Sequence, residues 1–243
     1  ADKSYRCYVT GNFASSVGIW IQRIAIGWLV WDLTHSPSWL GIIALAEAGP
    51  TIIFGFLSGA LLDRFDVMRV LRMTQLLTIL YSTVLAAATI AGQMNIWLLL
   101  GLVLFRGSVF SLNRPARQTI VYSLAGRTLM ANALAFNATV FNTSKFIGPA
   151  AGGVTLLTLG AGGTFLIALG LQLVFTLALL NMNVPASPLR NSESRSIIKD
   201  VSEGFAYVVT HPGIRLQFAL MIAVSFFANV IWNISQTCFL ILS

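Results

Sequence analysis

Four ionisable residues interrupt long apolar runs: Arg23, Glu47, Arg106 and Lys145. Inside a bilayer each such group costs about 3 kcal/mol on insertion scales, so each needs a partner or a purpose. At 1.5 Å of helix per residue, Arg23 and Arg106 lie about 15 Å from the outer ends of their helices, Glu47 about 12 Å and Lys145 about 20 Å. All four can therefore meet near one level. The structural reading is an ion pair between Glu47 and Arg23 that holds helices together. A functional reading begins from the surplus, since three cations facing one acid leave a positive cavity that attracts an anion. Glu47 is then the candidate for proton coupling, because a buried carboxylate is a group able to trade protons with its surroundings. Asp32 sits near the outer surface and is the less central acid.

Polar residues on the same helices suggest a cavity-facing side. Asn12, Ser16 and Arg23 share one face, Asn142 neighbours Lys145, and Ser225, Asn229, Asn233 and Gln236 line another. Modest interhelical hydrogen bonding explains such stripes equally well.

No pattern for covalent or hydrolytic chemistry accompanies these charges. His35 falls in a short loop and His211 precedes a proline. Cys7 and Cys238 lie near opposite ends without a CxxC pair, which implies neither a disulfide framework nor a metal site. No Gly-rich phosphate loop is present, which argues against ATP-driven work. The expectation is a protein that is not an enzyme and uses no cofactor. The net charge of +7 is scattered between apolar runs, so it points to membrane topology and not to nucleic acid.

The elements that must position these residues are membrane helices. Apolar residues make up 56% of the chain and charged residues 9%, with a mean hydropathy of +0.80. A soluble surface normally carries about 25% charged residues, so the apolar surplus here must face lipid. Stretches long enough to cross fall near 11–33, 39–62, 70–91, 96–113, 131–158, 163–183 and 214–243. They lack the alternation of barrel strands, so the fold class is an all-α polytopic helix bundle.

The loops alternate in charge. Thr34–Ser38, Gly92–Asn95 and Leu159–Gly162 carry no Lys or Arg, whereas the other connections and the N-terminal tail hold twelve. Among these are Arg64, Arg69, Arg72, Arg114, Arg117 and Arg127. The positive-inside rule then puts the N-terminus in the cytoplasm. Residues 1–183 read as a six-helix bundle and 184–213 as a cytoplasmic linker. In the linker Ile197, Ile198, Val201, Phe205 and Val208 mark an amphipathic helix, and 214–243 opens a second bundle. No removable signal peptide is evident. Ala1 is not an initiator Met and the chain stops inside an apolar run, so a longer parent protein is expected.

Two glycine motifs sharpen the picture. Gly59, Asp63 and Arg64, followed by Arg69, stand at the cytoplasmic end of the second helix. Gly59 and Gly55 offer a small-residue face for close helix approach, and Asp63 can act on helix N-termini and nearby arginines as a gate. In the fifth helix Gly148 and Gly152 form a second small-residue face, Pro149 removes a backbone donor, and Gly153 follows.

With Gly59, Asp63 and Arg64 the chain resembles the major facilitator superfamily, although Asp66 stands where that signature has a glycine. The stretch Asp63-Arg64-Phe65-Asp66 and the first-helix segments Gln22–Ala25 and Trp28–Val30 are similar to the branch of enterobactin exporters and macrolide efflux proteins. Gly148-Pro149-x-x-Gly152-Gly153 looks like that superfamily's antiporter signature, with Ser144 replacing an upstream glycine. Arg106 matches its intramembrane arginine.

The resemblance implies two six-helix bundles with substrate between them, of which this chain supplies one, built as two inverted three-helix repeats. It further implies proton-coupled efflux of a small molecule, siderophore- or drug-like and by the charge surplus anionic, across the bacterial inner membrane. The C-terminal half of the same transporter is the expected partner. Lysolipid movement and a non-transporting, half-length membrane partner are the competing readings.

Overall fold

The computed structural model describes residues 3–182 together with Gln217 and Leu220. Apart from those two positions, the expected linker and seventh span lie outside the described residues. Every element among the described residues is helical: α1 (Lys3–Thr34), α2 (Pro37–Arg64), α3 (Val67–Ile90) and α4 (Ile96–Leu180).

The helix boundaries follow from local chemistry. Pro37 opens α2, where a missing N–H costs nothing, and extended Ser36 precedes it. Asp66 caps α3 by accepting hydrogen bonds from the Met68 and Arg69 amides at 2.8 and 3.2 Å. This explains why an aspartate serves where the superfamily signature has glycine. Asn95 caps α4 through the Leu98 amide at 2.9 Å. Gly92 turns the chain before that cap with a φ of +67°, which glycine adopts at little cost.

α4 is continuous in its hydrogen bonding over 85 residues, yet it is not one rod. Its apolar part Ala133–Leu180 holds 48 residues, or about 70 Å of helix against a bilayer core of about 30 Å. Gly160, at a φ of +69°, divides it. Gly148 and Gly152 lie against Val17 to Ile24 in ascending order, whereas Gly18 meets Ala168 and Gly11 meets Phe175 and Ala178 in descending order. The limbs 133–159 and 161–180 are therefore parallel and antiparallel to α1. The first limb, Ile96–Tyr122, also opposes α1, since Tyr8 bonds the Arg117 carbonyl while Arg106 sits near the level of Arg23. Five helices among the described residues are thus long and apolar enough to cross a bilayer, and Gly160 divides the last of them into two limbs.

This corrects the fourth span and its loop. Its apolar helix runs to Tyr122, not 113, so Arg114 and Arg117 belong to the span and not to a connection. Likewise α3 begins at Val67, which puts Arg69 and Arg72 on a helix. Arg72 donates to the Leu179 and Met182 carbonyls at 3.1 and 2.8 Å, closing the end of α4 with a cation where the helix dipole favours one.

The surface is inverted relative to a soluble protein. Leu157 is 90% exposed, and Phe146, Leu45 and Trp97 are also bare, as lipid-facing residues must be. Trp39 and Trp97 meet edge to face at 5.4 Å beside the basic-free turns, the belt position aromatic rings favour at a membrane interface. Inside, one apolar layer joins Ala25, Leu29, Leu85, Leu99 and Phe165, and a second joins Tyr8, Leu71, Ile120, Phe175 and Leu179. Polar and charged side chains lie between those layers.

Candidate functional site

Gly107 sets the geometry of the central charges. A Cβ on it would lie 2.6 Å from the Glu47 carbonyl oxygen and 3.3 Å from Pro50 Cγ, so only glycine lets the first limb of α4 close on α2 here. The neighbouring Arg106 is thereby delivered to Glu47. Arg106 Nη1 donates to Glu47 Oε1 at 2.5 Å, and Arg23 Nη2 stands 3.8 Å from Oε2. Each carboxylate oxygen thus has its own guanidinium. The Arg106 side chain is only 8% exposed, against 26% for Glu47 and 28% for Arg23, so the pair opens on the Arg23 side. The Tyr81 hydroxyl is buried without a hydrogen-bond partner among the described residues.

Of the four charges expected at one level, three form this cluster. The nearer partner of Glu47 is Arg106, not the Arg23 of the simple ion-pair expectation. Lys145 is not on Glu47: its Nζ stands 5.0 Å from the Phe141 ring centre and 6.0 Å from that of Trp20. Arg23 also stands on Trp20, at 5.4 Å, so that indole links Lys145 to the ion-paired group.

The fifth-helix motif works as a packing surface. A Cβ on Gly148 would overlap Trp20 Cβ, and one on Gly152 would reach Ile21 Cα at 3.2 Å. These glycines let the 133–159 limb lie on α1 and carry Lys145 to Trp20. Gly153 faces open space, Pro149 lies inside the helix, and Ser144 is buried, donating to the Val140 carbonyl at 2.8 Å.

The second-helix motif is different. A Cβ on Gly55 or Gly59 would meet nothing within 4 Å, so no close helix approach occurs there among the described residues. No described helix covers that face of α2. Arg64 and Arg69 are exposed, and the Asp63 side chain lies outside the described residues.

A second polar centre escaped the sequence reading. Arg117 donates to Asn113 at 2.7 Å, Asn12 at 3.0 Å, Ser15 at 2.9 Å and Gln75 at 3.1 Å, and stacks 4.3 Å over Phe175. Gln172 extends the network to Ser15 and Gln75. Asn12 also donates to Asn137, so it serves this network and not a cavity stripe. Ser16 is buried as well, while Asn142 is exposed. The i, i+4 pair Asn113–Arg117 was the available signal, hidden by counting Arg117 as a loop charge.

Residues 1–236 match the family described as transmembrane secretion effector. The chain belongs to this family of the major facilitator superfamily. Its members are transporters, not enzymes, which accords with the multi-pass apolar helices. The staphyloferrin A transporter of Staphylococcus aureus is 27% identical over 150 residues, 61% of this chain and 38% of that protein. The multidrug efflux pump Tap of Mycolicibacterium fortuitum is 27% identical over 210 residues, 83% of this chain and 51% of that protein. An uncharacterised MFS-type transporter of Bacillus subtilis, YfiS, is 29% identical over 143 residues, 58% and 33% of the two chains. The chain thus spans about half, or less, of the length of the curated relatives it matches. The expected all-α, multi-pass helix bundle is what the described residues form.

Proposed function

We propose that the complete protein is a secondary active transporter that exports a small, anionic, siderophore- or drug-like molecule across the bacterial inner membrane, coupled to protons at Glu47. The observation that carries this reading is the unequal clamp on Glu47, with Arg106 sealed and close and Arg23 farther away and open. In its charged form Glu47 occupies Arg23. A proton on Glu47 releases Arg23, so proton and anion are carried together at one residue. An anion of two or more charges still moves net negative charge outward, which an inside-negative potential favours by about 2.3 kcal/mol per net charge at 100 mV.

The motif Gly59, Asp63, Arg64 and Arg69 is read as a cytoplasmic gate, and Gly148, Pro149, Gly152 and Gly153 as the hinge face on which one helix rocks against another. The N-terminus faces the cytoplasm in this reading. A second six-helix bundle, begun by a seventh helix over 214–243, completes the cavity. The relatives named for staphyloferrin A and for multiple drugs support export of small organic molecules over lipid movement.

The test is uptake by inverted vesicles carrying the complete protein, measured against a panel of siderophores, macrolides and lysolipids. Saturable, gradient-dependent accumulation of a siderophore or macrolide is the expected result. Movement of lysolipids alone would replace this reading with a lipid carrier.

A further inference from the structure

We propose that Arg23, Lys145 and Arg114, arrayed on the faces of Trp20 and Phe141, form a binding subsite for an organic anion carrying two or more negative groups. The proposal deepens the transport reading and rests on it only for movement, because binding can be measured without flux.

The two rings lie 6.2 Å apart at 59° and join three elements. Arg23 stands on Trp20 from α1, Lys145 on both rings from the 133–159 limb, and Arg114 at 6.0 Å on Phe141 from the first limb of α4. Among the described residues no carboxylate comes within ion-pair distance of Lys145 or Arg114, and the one facing Arg23 is held more closely by Arg106.

An aromatic face orients a cation and attracts it modestly, but it does not neutralise the charge. The repulsion between neighbouring cations therefore persists in this cluster. A second carboxylate would have been the ordinary way to remove it, and its absence among the described residues leaves that task to a ligand.

Access and rigidity support the same reading. Arg114 is exposed, and Lys145 and Arg23 are partly so, so their heads are reachable where Arg106 is sealed. The backbone beneath is fixed by Gly148 and Gly152 against α1, which holds the cations in place before anything binds. Three cations on two rings offer more positive charge than one carboxylate neutralises, so the site favours an anion of more than one charge.

The probe is propane-1,2,3-tricarboxylate, with its trimethyl ester as the uncharged isostere. Both are titrated calorimetrically into the complete protein in phosphatidylcholine nanodiscs, which hold no anionic lipid to occupy the cations. Saturable binding of the acid and none of the ester is expected. Lys145→Gln and Arg114→Gln should each weaken it about tenfold, the loss of one charge-assisted hydrogen bond. Lys145→Arg should restore it, and covers the case in which Lys145→Gln fails to fold. Equal binding of the ester, no binding of the acid, or unchanged affinity in the folded Gln variants would overturn the proposal. Binding without flux would leave the subsite standing and fail the transport reading, and flux of an anionic cargo without binding of the tricarboxylate would do the reverse.

Discussion

Arg106 Nη1 lies 2.5 Å from Glu47 Oε1, whereas Arg23 Nη2 stays 3.8 Å from the second oxygen of the same carboxylate. This asymmetry predicts different costs for removing the two cations. Arg106→Gln takes away the sealed partner and should lower stability by about 3 kcal/mol, near the lower end for broken buried pairs because Glu47 keeps some exposure. Arg23→Gln removes a longer, half-open contact and should cost about 1 kcal/mol or less. Thermal melting of the two variants in detergent checks the order, and equal shifts would show that the geometry does not rank the pair.

The glycines of the fifth-helix motif should differ in the same assay. Gly148→Ala overfills the contact with Trp20 and should destabilise by about 1–3 kcal/mol. Gly153→Ala faces open space and should be neutral or slightly stabilising in a helix.

Arg117→Met should be costly although no described acid pairs with Arg117. It leaves the buried side chains of Asn12, Ser15 and Gln75 short of a donor. An unsatisfied group there costs about 1–3 kcal/mol. Arg117→Lys keeps the charge but loses the fork that reaches four partners, so melting should show only partial rescue.

Topology is open to single-cysteine labelling. Ser36, half-buried and making no side-chain cap bond, and Gln93, which is exposed, lie in basic-free turns, and cysteines there should react with an impermeant maleimide from outside intact cells. Ser194 should react only after permeabilisation. Labelling of Ser194 from outside would reverse the orientation.

The helices were legible because lipid demands long apolar runs, and the turns at His35 and Gly92 because no basic residue marks them. The end of the fourth span was not. Arg114 and Arg117 read as loop charges by the positive-inside logic, yet an arginine can sit within a helix when polar side chains from other helices satisfy it. Gly148 was readable as a packing glycine from spacing alone. Gly59 has equally suggestive spacing and meets nothing among the described residues, since spacing names a face and not what covers it. The level of Glu47 followed from helical rise, but rise along an axis carries no rotation, so the preference for Arg106 over Arg23 and the seat of Lys145 on Trp20 and Phe141 were out of reach.

The central claim is that Glu47 links protons to cargo, and Glu47→Gln tests it most directly. The amide resembles the protonated acid and leaves Arg23 available, so the complete protein should still bind its cargo. In proteoliposomes an imposed pH gradient should drive cargo flux in the unaltered protein and none in the variant, with the melting temperature of the variant read alongside. Undiminished pH-driven flux together with a large fall in melting temperature would contradict the account and leave Glu47 a structural residue.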